Sequence, residues 1–151
     1  MIPKVIKKDI YWTGFIDWDR RLFDSLIPTP NGTTYNSYLI KGSEKTMLID
    51  TSDFGKENDL LNAIEITGVK KIDYVVSNHA EQDHSGSLPK ILKKYPDAKI
   101  VTNAKCKELI ESFLLIPEER FIVISDNQEI SLGNKTVQFI ICLLYTSPSP
   151  R

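Results

Sequence analysis

Residues 74–88 read Tyr74-Val75-Val76-Ser77-Asn78-His79-Ala80-Glu81-Gln82-Asp83-His84-Ser85-Gly86-Ser87-Leu88, and their order decides the fold. Ile72 to Val76 is a short, continuously apolar run, the pattern of a strand buried on both faces. Ser87 to Tyr95 then switches to helical spacing, with Leu88, Ile91 and Leu92 inward and Lys90, Lys93 and Lys94 outward. The polar residues between are therefore predicted on a loop at the carboxyl end of a buried strand, entering a helix. Open α/β sheets place their functional groups there.

Outward from that core the same alternation holds on the carboxyl side. Lys99–Val101 is predicted as a strand, and Lys105–Leu114 as a helix with Leu109, Ile110 and Phe113 on one side. Phe121–Ile124, Ile130–Leu132 and Thr136–Ile141 are three further strands. On the amino side, Leu60, Leu61, Ala63 and Ile64 share one face of a helix that Gly68 stops. Before that the chain is strands and turns. Ile10–Phe15 is a strand, and Asp17-Trp18-Asp19-Arg20-Arg21 is too charged to continue it. Pro28-Thr29-Pro30-Asn31-Gly32 is turn chemistry, and Tyr35–Ile40 with Thr46–Ile49 reads as a hairpin. Strands first, then alternating helix and strand, predict an α/β fold, a mixed sandwich with helices covering a sheet.

The chain has 151 residues, 19 basic and 20 acidic side chains, and 41% hydrophobic residues. That length suits one domain with a substantial core. The near-balanced charge argues against nucleic acid as a partner, since no basic excess exists to collect phosphates. No apolar run approaches the ~20 residues of a membrane span. The start, MIPKVIKKDIYW, lacks the pattern of a secretion signal. Cys106 and Cys142 are too few for a disulfide framework or a cysteine-based zinc site. A cytoplasmic location is expected.

His79, Glu81, Asp83 and His84 place four metal-ligand types within six positions. Alternate loop residues can point the same way, so His79 and Glu81 suit one metal, and Asp83 with His84 on the next turn suits a neighbouring one. Taken singly, a histidine near a helix start is an ordinary hydrogen-bonding residue, and Asp83 is a good helix N-cap. Together, two carboxylates and two imidazoles held close without a cation would suffer repulsion and desolvation. Mixed imidazole and carboxylate ligands suit non-haem iron, although they also bind zinc and manganese. Asp50, ending Met47-Leu48-Ile49-Asp50, is a candidate to orient His79 or nearby amides, or else simply begins a turn. Trp18 and Tyr35 are candidates for the site or the core, and Cys106 is expected to be inert.

The H-x-E-x-D-H spacing resembles the metal motif of the metallo-β-lactamase fold, with glutamate replacing the second histidine of its zinc hydrolases. That replacement is similar to the flavodiiron proteins, or A-type flavoproteins. Asp17-Trp18-Asp19-Arg20-Arg21-Leu22-Phe23, Gly32-Thr33-Thr34-Tyr35-Asn36, Leu39-Ile40-Lys41-Gly42 and Asn78–Leu88 carry the likeness, which runs from about Ile10 to Ile141. The resemblance implies the amino-terminal portion of an αββα fold. It makes His79 and Glu81 ligands of one iron, and Asp83 and His84 ligands of the other. It further implies reduction of dioxygen to water or of nitric oxide to nitrous oxide, and FMN on a following flavodoxin-like domain. The electron donor would be rubredoxin or a reduced-flavin system, and the assembly a head-to-tail homodimer. The alternatives at this point are a zinc-dependent hydrolase of the same fold and a diiron oxygen-sensing domain.

The resemblance also calls for a third histidine, a bridging aspartate and a final histidine downstream, whereas no histidine follows His84. Residues 1–141 are thus expected to be a partial diiron domain. Residues 142–151, Cys142-Leu143-Leu144-Tyr145-Thr146-Ser147-Pro148-Ser149-Pro150-Arg151, resemble a translated sequencing-library adapter and are expected to be non-native. The 151-residue chain itself is expected to be inactive, with one sheet face and its last edge left open.

Overall fold

The computed structural model describes residues 2–23 and 25–141, so the expectation for residues 142–151 lies outside the described residues. The elements in chain order are β1 (Lys4–Lys7), β2 (Ile10–Trp12), β3 (Phe15–Asp17), β4 (Leu22–Phe23), β5 (Ile27–Pro28), β6 (Thr33–Tyr35), β7 (Tyr38–Lys41), β8 (Thr46–Ile49) and α1 (Glu57–Ile66). They continue with β9 (Tyr74–Val76), α2 (Gln82–Ser85), α3 (Leu88–Lys94), β10 (Lys99–Thr102), α4 (Ala104–Leu114), a 3-10 turn (Glu118–Arg120), β11 (Phe121–Val123), β12 (Glu129–Ser131) and β13 (Thr136–Gln138).

The principal sheet has the order β1-β2-β7-β8-β9-β10-β11. It is antiparallel through the β7–β8 hairpin and parallel from β8 to β11. The change follows from the connections: a short turn joins β7 to β8, whereas helices cross between the later strands. Side chains alternate between the two faces with period two. Leu48, Val75 and Ile100 pack with Leu60 and Ile64 of α1, Leu88 and Ile91 of α3, and Ile110 of α4. Their neighbours Met47, Val76 and Val101 point to the opposite face, against Ile124, Leu132 and Phe139.

Several boundaries differ from the expected ones, each for a local reason. The strand expected over Ile10–Phe15 breaks at Thr13-Gly14, where both amides donate to the Ser37 carbonyl. A Cβ on Gly14 would stand 2.0 Å from the Tyr35 carbonyl oxygen, so only glycine allows this approach. Tyr35–Ile40 likewise divides at Asn36-Ser37. Asp17, expected to lie beyond the strand, instead ends β3, is buried, and pairs with Lys56 at 2.9 Å. Phe113, expected on the inward side of α4, is 70% exposed, and Ile110 and Cys106 fill the core instead.

The carboxyl-terminal strands correct a further expectation. β12 and β13 do not extend the principal sheet; they pair only with each other and form a separate hairpin. Its Leu132 is fully buried against the second face, which is therefore covered here rather than open. The hairpin is anchored to the β7–β8 turn: Glu44 N–H donates to the Leu132 carbonyl, and Ser43 N–H to Asn134 Oδ1. Among the described residues, no helix is long and apolar enough to cross a membrane.

Candidate metal centre

Two loops meet at the carboxyl ends of β8 and β9: residues 50–54 and residues 77–87. Asp50 leaves β8 in a left-handed conformation, φ +55°, which aspartate tolerates better than most residues. Its carboxylate is buried and accepts from Asn78 N–H and Asn78 Nδ2–H, both at 2.8 Å, and from His84 Nδ1–H at 2.9 Å. Of the two roles considered, Asp50 thus takes the orienting one, on His84 and the Asn78 amide. Because the carboxylate can only accept, Nδ1 of His84 carries a proton and Nε2 is the atom presented outward.

Glu81 is the N-cap of α2, with extended backbone, so Asp83 lies inside the helix rather than capping it. The ligand-type atoms form two pairs. His79 Nε2 is 3.6 Å from Glu81 Oε2, and His84 Nε2 is 3.4 Å from Asp83 Oδ2. The imidazoles of the two pairs lie with ring centroids 3.9 Å apart. One ligand atom each from His79, Asp83 and His84 can be chosen so that all lie within 4.8 Å of one another. With metal bonds of about 2.0–2.2 Å, adjacent ligands on one ion sit roughly 3 Å apart, so each imidazole–carboxylate pair has the separation needed for one cation. The donor set therefore suits metal binding, with His79, Asp83 and His84 close enough to share an ion and Glu81 beside His79.

The electrostatics agree with that fit. Burial works against a charge on His84, but its hydrogen bonds to Asp50 and Asp83 prevail and push its pKa up to about 10. Burial would raise Asp83, yet the bond to His84 holds it below the usual carboxylate range. Carboxylates thus outweigh imidazoles, and in a metal-free site a proton on His84 compensates.

Two clefts adjoin the site, and they separate the two carboxylates from His79. Glu81 and Asp83 edge one of about 470 Å³, with Arg20, Asp53, Phe54 and Phe113 opposite. His79 edges another of about 300 Å³, with Asn103, Phe139 and Ile141. Tyr35 is buried, tilted against Phe15, whereas Trp18 is 65% exposed. Cys106 is buried in the helix-side core, behind the Ser77 carbonyl.

Sequence reasoning missed the charged bracket beside the first cleft. Arg20 Nη1 donates to Asp53 Oδ2 at 2.7 Å, and Arg20 Nε to the Leu22 carbonyl. This ties the β4–β5 ribbon to the 50–54 loop. The pair is separated by 33 residues, so no local spacing could have announced it.

Comparison with known proteins follows the same lines. The chain is 36% identical over 142 residues to the coenzyme F420H2 oxidase of Methanothermobacter marburgensis, covering 91% of this chain and 35% of that protein. It is 34% identical over 140 residues to the nitric oxide reductase of Moorella thermoacetica, covering 91% and 35%. Among solved structures, the flavodiiron protein from Giardia intestinalis superposes with a TM-score of 0.86 at 30% identity, over 96% of this chain and 36% of that one. Rubredoxin oxygen:oxidoreductase from Desulfovibrio gigas gives 0.86 at 35% identity, over 95% and 36%. The chain spans about a third of the length of the curated relatives it matches. The profile of the ODP family beta lactamase matches residues 33–145, and with the mixed α/β fold and the paired ligand geometry in place, the chain belongs to that family, on the flavodiiron side of it.

Proposed function

We propose that these residues are the amino-terminal part of the diiron domain of an oxidoreductase that reduces dioxygen to water, nitric oxide to nitrous oxide, or both. The observation that carries the reading is Glu81 beside His79, matched by Asp83 beside His84: two imidazole–carboxylate pairs where zinc hydrolases favour histidine. His79 and Glu81 hold one iron, Asp83 and His84 the other. Iron there supplies reducing electrons and a place for a diatomic gas to bind. Asp50 fixes the ring plane and tautomer of His84, and Glu81 and Asp83 hold the negative charge that favours the higher oxidation state.

The remaining elements of the reading rest on the sequence resemblance. Residues 1–141 form the partial diiron domain, 142–151 are foreign to it, and FMN is bound by a domain of the whole protein beyond this segment. Electrons arrive from a donor such as rubredoxin or a reduced-flavin system, and the whole protein works as a head-to-tail homodimer in the cytoplasm, where a free thiol such as that of Cys106 is at home. The 151-residue chain alone, with four of the roughly six ligands that two such irons commonly share, is expected to bind iron weakly and not turn over.

The test is metal analysis with gas-consumption assays on the full-length protein. Two irons per chain and reduced-flavin-dependent consumption of oxygen or nitric oxide are expected, with activity lost in Glu81→Ala. Bound zinc with thioester hydrolysis, or full activity of Glu81→Ala, would overturn the reading.

A further inference from the structure

We infer that Thr51 and Ser85 are positioning residues for the metal centre, holding the ligand-bearing loop through its backbone carbonyls rather than through its side chains. This rests on the metal-binding reading above and extends it to residues that touch no metal. Both hydroxyls are sealed from water: Thr51 is 1% and Ser85 3% exposed. Ser85 Oγ lies 2.9 Å from the Ala80 carbonyl and 3.1 Å from the Glu81 carbonyl, and donates across both. The two peptide units that flank Glu81 are thereby fixed from inside. Thr51 donates twice to the carbonyl of His84, from its amide at 2.9 Å and from Oγ1 at 2.8 Å.

The loop cannot relax away from these contacts, because the two segments touch backbone to backbone. A Cβ on Gly86 would stand 2.9 Å from the Phe54 nitrogen and 2.7 Å from the Gln82 carbonyl oxygen. The neighbouring Ser52 and Ser87 share a further buried bond, Oγ to Oγ at 2.7 Å. That bond lies in the same seam but reaches no peptide between His79 and His84, which makes Ser52 a matched control. It is equally buried, with a comparable hydrogen bond, and differs only in what it holds. Losing an outer partner of a metal ligand typically weakens metal binding roughly 10- to 100-fold, because a ligand free to swing must be ordered when the ion arrives.

The experiment titrates metal-free full-length protein with cobalt(II), reading affinity and the ligand-field spectrum, with thermal denaturation alongside. Ser85→Ala and Thr51→Val are expected to weaken cobalt binding by about tenfold or more and to alter the spectrum. Thr51→Ser, which keeps the hydroxyl, should restore both. Ser52→Ala should lower the melting temperature about as much as Thr51→Val while leaving affinity and spectrum unchanged. If Ser85→Ala fails to fold, the three-way comparison of Thr51→Val, Thr51→Ser and Ser52→Ala decides. Equal cobalt affinity in Thr51→Val and the unmodified protein overturns the inference, as does an equal loss in Ser52→Ala. Failure of the unmodified protein to bind cobalt would instead overturn the metal reading itself.

Discussion

At the carboxyl ends of β8 and β9, Asp50, Thr51, Ser77 and Ser85 are almost solvent-free, and each is hydrogen-bonded to the loop that carries His79 and His84. At the amino ends of the same strands, Asp73 accepts from Thr46 N–H and pairs with Lys71 at 2.7 Å and Lys45 at 3.7 Å, lysines that stand largely in water. Both ends are polar and both are well satisfied. They differ in what happens when a partner is removed. When a bond is lost the lysines at the amino end stay hydrated, whereas the Thr51 and Ser85 hydroxyls at the carboxyl end are sealed from water. Geometric precision is therefore concentrated at one end of the sheet.

The largest effect is expected from Asp50→Ala. It removes the acceptor of the Asn78 amides and of His84 Nδ1–H, and because both residues keep access to water a loss of about 1–2 kcal/mol in urea denaturation is expected. Metal affinity should fall in parallel by roughly 10- to 100-fold. Unchanged stability and affinity would erase the distinction between the two ends.

Next in size is the pH dependence of the metal-free protein, in which the ends respond differently. His84 has its folded pKa raised from 6.5 to about 10. Its contribution is fully present below pH 6.5 and is lost as pH rises through about 10. Asp83 and Asp73 are both lowered from 3.8, despite burial that would raise them, by bonds to His84 and to Lys71 respectively. Their contributions are present above pH 3.8 and are lost as pH falls through the lowered values. Between pH 6.5 and about 10 base should thus loosen the site end, ahead of Lys71, whose pKa is raised above 10.5 by Asp73, while acid loosens both. His84→Gln is expected to flatten the alkaline limb of a melting-temperature profile and leave a substantial acid limb. An alkaline limb that persists in that variant would assign it to another group.

Smaller still is Asp73→Asn. The amide oxygen can still accept from Thr46 N–H, so about 1 kcal/mol or less is expected above pH 3.8, with the difference vanishing in acid. Lys71→Ala should be the smallest change, with cobalt affinity identical to that of the unmodified protein. A measurable loss of metal binding in either variant would mean that the two ends are coupled through the strands.

The ligand-type residues were legible as a cluster because they are nearly contiguous: four such side chains within six positions after a buried strand need no knowledge of the rest of the fold. The helices around them were legible from apolar spacing, and α1 stops as expected, with Gly68 at φ +77°. Phe113 was misplaced because its periodicity fits an inward face, but α4 packs through Cys106 and Ile110 and turns Phe113 to the first cleft. The strands of the final hairpin were legible but their sheet was not, because alternation predicts a strand without predicting which sheet it joins.

The sequence by itself determined the alternation of strand and helix, the polar loop at the end of β9, and the choice of carboxylate at position 81, all of which depend on neighbours along the chain. Only the tertiary structure decided which groups hold that loop. Asp50 reaches His84 across 34 residues, Thr51 reaches it across 33, and Arg20 reaches Asp53 across another 33. A serine, a threonine or an aspartate carries no local sign of its partner. Its role is set by which two strands lie side by side and by the absence of water between them.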